Sequence, residues 1–455
     1  MDRKLFISVC VAALGLSALK AGALEPQFAE DAWAQAMSLR DCMEYAISNS
    51  TKVRIQQAET GDARIARRDA LLSTFLPAVS TGTSMSSSFG RNIDPETNTY
   101  INTMSFSNGY SLSASINLFN GFSAVNNLKI SQTSLKMGEK REKQAEADIC
   151  LAVMEAYYNV LYYKRICDIY EEMVTAAETS LIKARRQEEL GQKGHADVVQ
   201  MEADLASRQY DMTNAQNMYR SQMMTLEDLM FWPMDEELVI ETDVRPFADA
   251  IEPASEQSVV DFALANDPAV KLASWSVDNA RLELNTAKWQ LLPSVSLGGG
   301  WSTSYYSYMG AETMPYMDML KRNGGEYLSM SVNVPIFNRL SRRSNVARHR
   351  NALEKASATL DQTRRDVESE VRRAVQDRDG AATAWRLAQR NAEVQEEAYN
   401  LNLKKLEQGL ISPLEFQTAD NNYLKAMAEE MNSRFKYLIK DAVVQYYGGV
   451  EYVNQ

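Results

Sequence analysis

Histidine and cysteine, the side chains from which most metal and nucleophile sites are built, are nearly missing: 455 residues hold two His and four Cys. His195 and His349 stand far apart without a second ligand at helical spacing, so no metal is expected. Cys42, Cys150 and Cys167 include no Cys-x-x-Cys pair, and Cys150 and Cys167, about 25 Å apart along one helix, cannot bridge within it. Small apolar packing is their expected role. Phosphate loop, dinucleotide fingerprint and Gly-x-Ser-x-Gly are all lacking, so the chain does not read as an enzyme and no cofactor is expected. An excess of positive charge is lacking too: the formal net charge is -12, which argues against nucleic acid as a partner. Beyond residue 23 no apolar run reaches 18 residues, and the mean hydropathy is -0.36. A helical membrane protein is therefore excluded, and whatever enters a bilayer must do so as alternating strands.

What the chain does have begins with Arg3 and Lys4 ahead of an apolar run from Leu5 to Leu19 and small residues at Ala21-Gly22-Ala23. Residues 1–23 read as a secretory signal peptide, too short to span as an anchor, and carry Cys10 with them. No lipid anchor is expected, since small residues do not precede Cys10.

The remainder is written twice, with a displacement of about 217 residues. Ala46-Ile47-Ser48-Asn49 returns as Ala263-Leu264-Ala265-Asn266, and Leu76-Pro77-Ala78-Val79 as Leu292-Pro293-Ser294-Val295. The Phe119-Asn120 pair returns at Phe337-Asn338, and Gly191 with Asp197 returns as Gly409 with Glu415. The expected division is a first repeat over 24–230, a linker over 231–257 broken by Pro233, Pro246 and Pro253, a second repeat over 258–447, and a tail over 448–455. The first repeat should hold a helix, strands over 78–90 and 108–119, a long helix over 122–190 and a helix over 195–230. In the second, strands over 293–308 and 326–337 precede a long helix over 338–408 and a helix over 413–447. Loops are expected near Ile93 to Ser107 and Ala311 to Gly325.

Strict period-two alternation puts Tyr110, Leu112, Ala114, Ile116 and Leu118 on one face and Ser111, Ser113, Ser115 and Asn117 on the other. Leu328, Met330, Val332, Val334 and Ile336 alternate with Ser329, Ser331 and Asn333 in the same way. One apolar and one small polar face over about nine to eleven residues suits a lipid-facing, water-lined barrel strand, though a hairpin packed on helices would alternate likewise. Tyr305, Tyr306 and Tyr308 suggest an aromatic girdle. The basic run Arg339, Arg342, Arg343, Arg348 and Arg350 suggests an interfacial face at the membrane edge.

From Phe122 to Leu190 no proline occurs, which at 1.5 Å per residue allows a helix of about 100 Å. Ile149, Val153, Ala156, Val160, Tyr163, Cys167, Tyr170, Val174, Ala177, Leu181 and Ala184 recur in steps of four and three, a coiled-coil seam. A softer seam runs from Val367 through Val371, Ala374, Arg378, Ala381, Trp385 and on to Leu406. Alanine-rich seams favour a wall of closely spaced helices. Four strands per chain would leave two open edges in lipid, so copies must pool their strands. A dimer gives eight strands and a trimer twelve, and only the wider barrel passes a sizeable solute.

These features together resemble the TolC family of outer-membrane efflux proteins, from about Ser38 to Tyr447. The resemblance rests on the duplicated Leu-Pro before a strand, on Leu118-Phe119-Asn120-Gly121-Phe122, and on the Gly-x-x-small-x-x-acid turns at Gly191 and Gly409. It implies a mainly α protein with a membrane β-barrel: a homotrimer with a twelve-stranded barrel in outer-membrane lipid and a helical tunnel, an α-barrel, in the periplasm. It implies an exporting channel working with a periplasmic adaptor protein and an inner-membrane transporter. The turns at Gly191, Gly194, Asp197, Gly409 and Ser412 would form the periplasmic tip and meet the adaptor. Glu415 would lie at the constriction, where the family's second acidic position is Thr418 here. A family tyrosine and arginine that tie the closed tip are matched by Leu406 and Ile411, so any tie must differ. Ser111, Ser113, Ser115, Asn117, Ser329, Ser331 and Asn333 would line the barrel lumen. The rival reading is a structural periplasmic coiled coil tethering envelope layers, which the heptads alone would support and the alternating strands oppose.

Overall fold

A computed structural model describes residues 36–93, 98–242, 255–309 and 312–454. The signal-peptide assignment and the middle of the 231–257 linker lie outside the described residues.

The helices are α1 (Leu39–Asn49), α2 (Thr51–Phe75), α3 (Ser123–Glu189), α4 (His195–Met230), α5 (Glu256–Asn266), α6 (Pro268–Trp289), α7 (Tyr316–Arg322), α8 (Ser341–Glu407) and α9 (Pro413–Tyr447). The strands are β1 (Ala78–Ile93), β2 (Tyr100–Phe119), β3 (Ser294–Tyr308) and β4 (Gly325–Asn333). A capping box at Ser38 and Asp41 starts α1, and Asp267 accepts from Ala269 and Val270 to start α6 ahead of Pro268. The two longest helices, α3 and α8, have 67 residues each. Neither is apolar enough to cross a bilayer, nor is any other described helix.

Both long helices start in the same way. Gly121 and Phe122 have φ of +64° and +59°, and Arg339 and Leu340 have +55° and +62°. Before each pair an asparagine side chain caps the helix: Asn120 Oδ1 accepts from the Ala124 amide at 3.2 Å, and Asn338 Oδ1 from the Arg342 amide at 3.5 Å. Three non-glycine residues in the left-handed region are uncommon. Their recurrence in both halves identifies the strand-to-helix corner as a duplicated structural device.

The seams face inward as their spacing requires. None of the eleven α3 positions from Ile149 to Ala184 is exposed, and Val367, Val371, Arg378 and Ala392 of the α8 seam are buried. Arg378 is tolerated there because its guanidinium swings onto Asp379 at 2.8 Å. The main core gathers α1, the middle of α3 and the ends of α4 and α9 around Cys42, Met43, Val153, Val160, Leu226 and Met230. A smaller equivalent in the second half joins Val259, Val260, Val270, Val371 and Val444. The tail is fastened, with Tyr452 stacked on Tyr446 at 4.7 Å.

The sheet runs β1-β2-β3-β4, antiparallel throughout, and the β2–β3 pairing joins the two repeats. By register, Ser80, Ser86, Ser107, Ser111, Ser113, Ser115 and Asn117 share one face with Ser296, Ser329, Ser331 and Asn333. Hydroxyls on that face bond across strands, Ser80 to Ser113 at 2.9 Å and Ser296 to Ser331 at 3.1 Å. The opposite face carries Val79, Phe89, Tyr110, Leu112, Trp301, Leu328, Met330 and Val332. Leu328 is 79% and Met330 67% exposed, an apolar surface left open among the described residues.

The structure corrects several expectations. Strand β2 begins at Tyr100, not 108, because the Ser- and Asn-rich stretch up to Ser107 has β1 through Ile93 as a partner, so the expected Ile93 to Ser107 loop shrinks. Strand β4 stops at Asn333, short of 337, where Pro335 cannot donate to a ladder. Residues 316–322 of the expected second loop form α7. The tyrosine girdle divides: Tyr305 lies on the apolar face, while Tyr306 and Tyr308 alternate onto the serine face.

Candidate functional site: the helical tip and the barrel wall

The α3–α4 and α8–α9 reversals are built alike. After Leu190, the Gly191 amide donates to Glu188 O at 2.8 Å and the Gln192 amide to Gln187 O at 2.8 Å. After Gln408, the Gly409 amide donates to Leu406 O at 3.0 Å and the Leu410 amide to Lys405 O at 2.9 Å. This is the Schellman closure, which needs a left-handed residue, and Gly191 and Gly409 supply it with φ of +67° and +72°. A Cβ on either would meet nothing within 4 Å, so the turns are open to an approaching surface. Around them Leu190, Leu410 and Leu414 are exposed.

The following helices start differently. Gly194 precedes α4 without a side-chain cap, whereas Ser412 precedes α9 in a full capping box: Ser412 Oγ accepts from the Glu415 amide at 3.2 Å, and Glu415 Oε2 accepts from the Ser412 amide at 2.9 Å. The carboxylate of Glu415 is thus engaged with its own helix terminus. The motif Ser412-Pro413-Leu414-Glu415 carries that signal in plain sequence. Asp197 occupies the same third helical position in α4, beside Gly194.

Sequence reasoning missed an ion cluster that ties the two hairpins together. Arg208 of α4 is 9% and Asp420 of α9 2% exposed, and the Arg208 guanidinium bonds to Asp420 Oδ2 and, through Nε at 2.8 Å, to Asp204. Gln417 Nε2 donates to Asp204 Oδ1 at 2.9 Å. Burial pushes the Asp420 carboxyl up from its ordinary range, Arg208 opposes that shift, and Asp204 adds to it. Two carboxylates share one guanidinium, so burial prevails. No local pattern announces a pair separated by more than two hundred residues.

The expected lumen residues Ser111, Ser113, Ser115, Asn117, Ser329, Ser331 and Asn333 come together on one sheet face. Among the described residues no group of three His, Cys, Asp or Glu is placed to hold a metal.

Four strands with an exposed apolar face, mounted on helices of 67 residues, set the class: a sheet built to face lipid, carried on a long helical stem. The profile of the family described as outer membrane efflux protein matches residues 44–230 and again 259–445. The alkaline protease secretion protein AprF of Pseudomonas aeruginosa is 21% identical over 314 residues, 69% of this chain and 64% of that protein. The chain thus spans just under two thirds of that relative. Among solved structures, CusC superposes with a TM-score of 0.75 at 16% identity, over 94% of this chain and 95% of that one. The Campylobacter jejuni CmeC outer membrane channel gives 0.75 at 17%, over 91% and 86%. The chain belongs to the outer membrane efflux protein family. It resides in the outer membrane, with its helices in the periplasm.

Proposed function

We propose that three copies of this chain form an export channel, pooling their strands into a twelve-stranded barrel and their helices into a periplasmic tunnel, and that the chain catalyses no reaction. The observation that carries this reading is the sheet: β1 and β4 are free edges, and an open edge in hydrocarbon leaves backbone groups unsatisfied at several kcal/mol each. Pairing β4 of one copy with β1 of the next removes every edge. The serine face then lines a water-filled lumen through Ser111, Ser113, Ser115, Asn117, Ser329, Ser331 and Asn333, and the apolar face meets lipid.

At the other end, the turns with Gly191, Gly194, Asp197, Gly409 and Ser412 would receive the hairpin tips of a periplasmic adaptor, which connects the tunnel to an inner-membrane transporter. Exposed Leu190, Leu410 and Leu414 beside glycines without steric obstruction support this, since a close backbone approach needs both apolar area and space. Glu415 would ring the narrowest point as three carboxylates, each already holding its own helix terminus.

The reading is tested by purifying the protein from outer membranes in mild detergent, measuring its mass unboiled, and recording conductance in planar bilayers. A complex of three chains that opens ion-conducting pores is expected. A monomer released from membranes by salt alone would instead support the coiled-coil tether.

A further inference from the structure

Charge is distributed very unevenly along this chain. It has 48 Lys and Arg and 60 Asp and Glu, yet β1 to β4 hold two of them, Arg91 and Glu326. By register both lie on the apolar face, Arg91 over the Tyr100 ring at 4.3 Å and Glu326 opposite Trp301. The two cancel, so the whole formal charge of -12 sits outside the sheet. On the serine face no position of the four strands carries Asp, Glu, Lys or Arg among the described residues.

The polar groups of that face are also turned along the wall. The hydroxyls of Ser86 and Ser107 meet at 2.7 Å, Ser111 Oγ donates to Gly82 O at 3.4 Å, and Ser329 Oγ donates to Gly298 O at 3.3 Å. Longer side chains lie flat as well. Tyr308 Oη donates to Ile93 O at 3.3 Å, and a Cβ on Gly300 would meet Tyr327 Cε1 and Oη at 3.0 Å each. A solute passing this face meets short, internally bonded hydroxyls and no fixed charge, whereas pores that select by charge present rings of ionised side chains.

We propose that the barrel is a charge-indifferent exit that admits bulky solutes of either sign, and that any selection by charge is made in the helical part. The inference deepens the channel reading and rests on it. The potential of the acidic helices decays over a Debye length of about 8 Å at physiological salt, while the nine residues of β4 rise about 30 Å. Most of the barrel therefore feels its own neutral wall. A cation or an anion leaving the tunnel meets no counter-charge that would hold it at the last step.

The test places a thiol on the wall and compares its reaction with a cationic and an anionic methanethiosulfonate, read by mass spectrometry of the detergent-purified oligomer. Ser113→Cys is built on Cys167→Ser, which removes the half-buried native thiol. With each rate divided by that of a small free thiol, the cation-to-anion ratio should lie within about threefold of one. Ser111→Asp in that background puts a carboxylate about 7 Å away along the strand. It should raise the ratio about sevenfold at low salt, and Ser111→Lys should lower it as much. Leu112→Cys, on the opposite face, should react slowly with both reagents. A Ser113→Cys ratio more than about threefold from one, or no response to Ser111→Asp, would overturn the proposal while leaving the channel reading intact. Fast reaction at Leu112→Cys with silence at Ser113→Cys would overturn the face assignment itself, and with it both the channel reading and this inference.

Discussion

Removing the Arg208 guanidinium should separate the two helical hairpins, whereas neutralising its buried partner should not. Arg208→Ala leaves Asp420, 2% exposed, and Asp204 facing one another without a counter-charge. Breaking a buried pair from one side costs about 3–5 kcal/mol, and unit charges about 4 Å apart repel by about 4 kcal/mol at an effective dielectric near 20. Asp420→Asn keeps an acceptor for Arg208 and leaves a one-to-one pair with Asp204 at 2.8 Å, so its cost should stay within about 1 kcal/mol. Hydrogen–deuterium exchange of the detergent-solubilised protein reads this locally. At 1.36 kcal/mol per factor of ten, amides around residues 200–215 of α4 and 414–427 of α9 should exchange roughly two to nearly four powers of ten faster in Arg208→Ala, with α6 unchanged. The pH dependence has a defined sign. Because burial raises the folded-state carboxyl of Asp420 above its ordinary value of 3.8, its contribution is fully present below that value and is lost as pH rises through the raised one. Opening of α9, corrected for intrinsic exchange, should therefore become rarer on acidification in the parent and lose that component in Asp420→Asn. Equal exchange in the two variants would refute the shared-guanidinium account.

Three further outcomes follow from the geometry. Gly191→Ala and Gly409→Ala should each cost about 1 kcal/mol, the backbone penalty alone, whereas Gly121→Ala, with φ +64° and a Cβ driven against the Trp289 carbonyl, should abolish the proposed trimer; unboiled gel mobility and thermal melting separate them. Glu415→Ala removes one side of a capping box and should loosen the start of α9 by about 1 kcal/mol, and if Glu415 rings the constriction it will also change cation block of single-channel current. Unchanged block would assign the residue to capping alone. Burial pushes the thiols of Cys42 and Cys150 up to about 12, so maleimide at pH 8 should label half-buried Cys167 in the folded protein and reach the other two only after denaturation.

Much of this architecture is local and was therefore legible. The alternation from Tyr110 to Leu118 assigns two faces through a period of two, the steps from Ile149 to Ala184 assign a seam through a period of 3.5, and Gly191 and Gly409 mark reversals because few other residues adopt their backbone angles. Each signal acts over a turn or less, and its duplication about 217 residues later makes chance agreement negligible. The capping role of Glu415 is equally local, in Ser412-x-x-Glu415, but the sequence reading placed that residue at the constriction and passed over the cap.

Tertiary structure decided what depends on surfaces meeting. Helix α7 has seven residues, too few for a periodic pattern, and is held to the sheet by contacts distant in sequence, Tyr316 donating to Asn108 and Thr303 to the Leu320 carbonyl. Strand β2 extends back to Tyr100 because β1 offers it a ladder, although serine and asparagine have little preference for strands. The Arg208–Asp420 pair joins residues that no short-range rule relates, since it depends on which faces of α4 and α9 turn toward each other. Sequence alone determined the repeat, the seams and the two faces of the sheet, because covalent spacing carries them. The contacts between repeats came only from the folded chain, because burial and pairing at a distance are properties of packed surfaces.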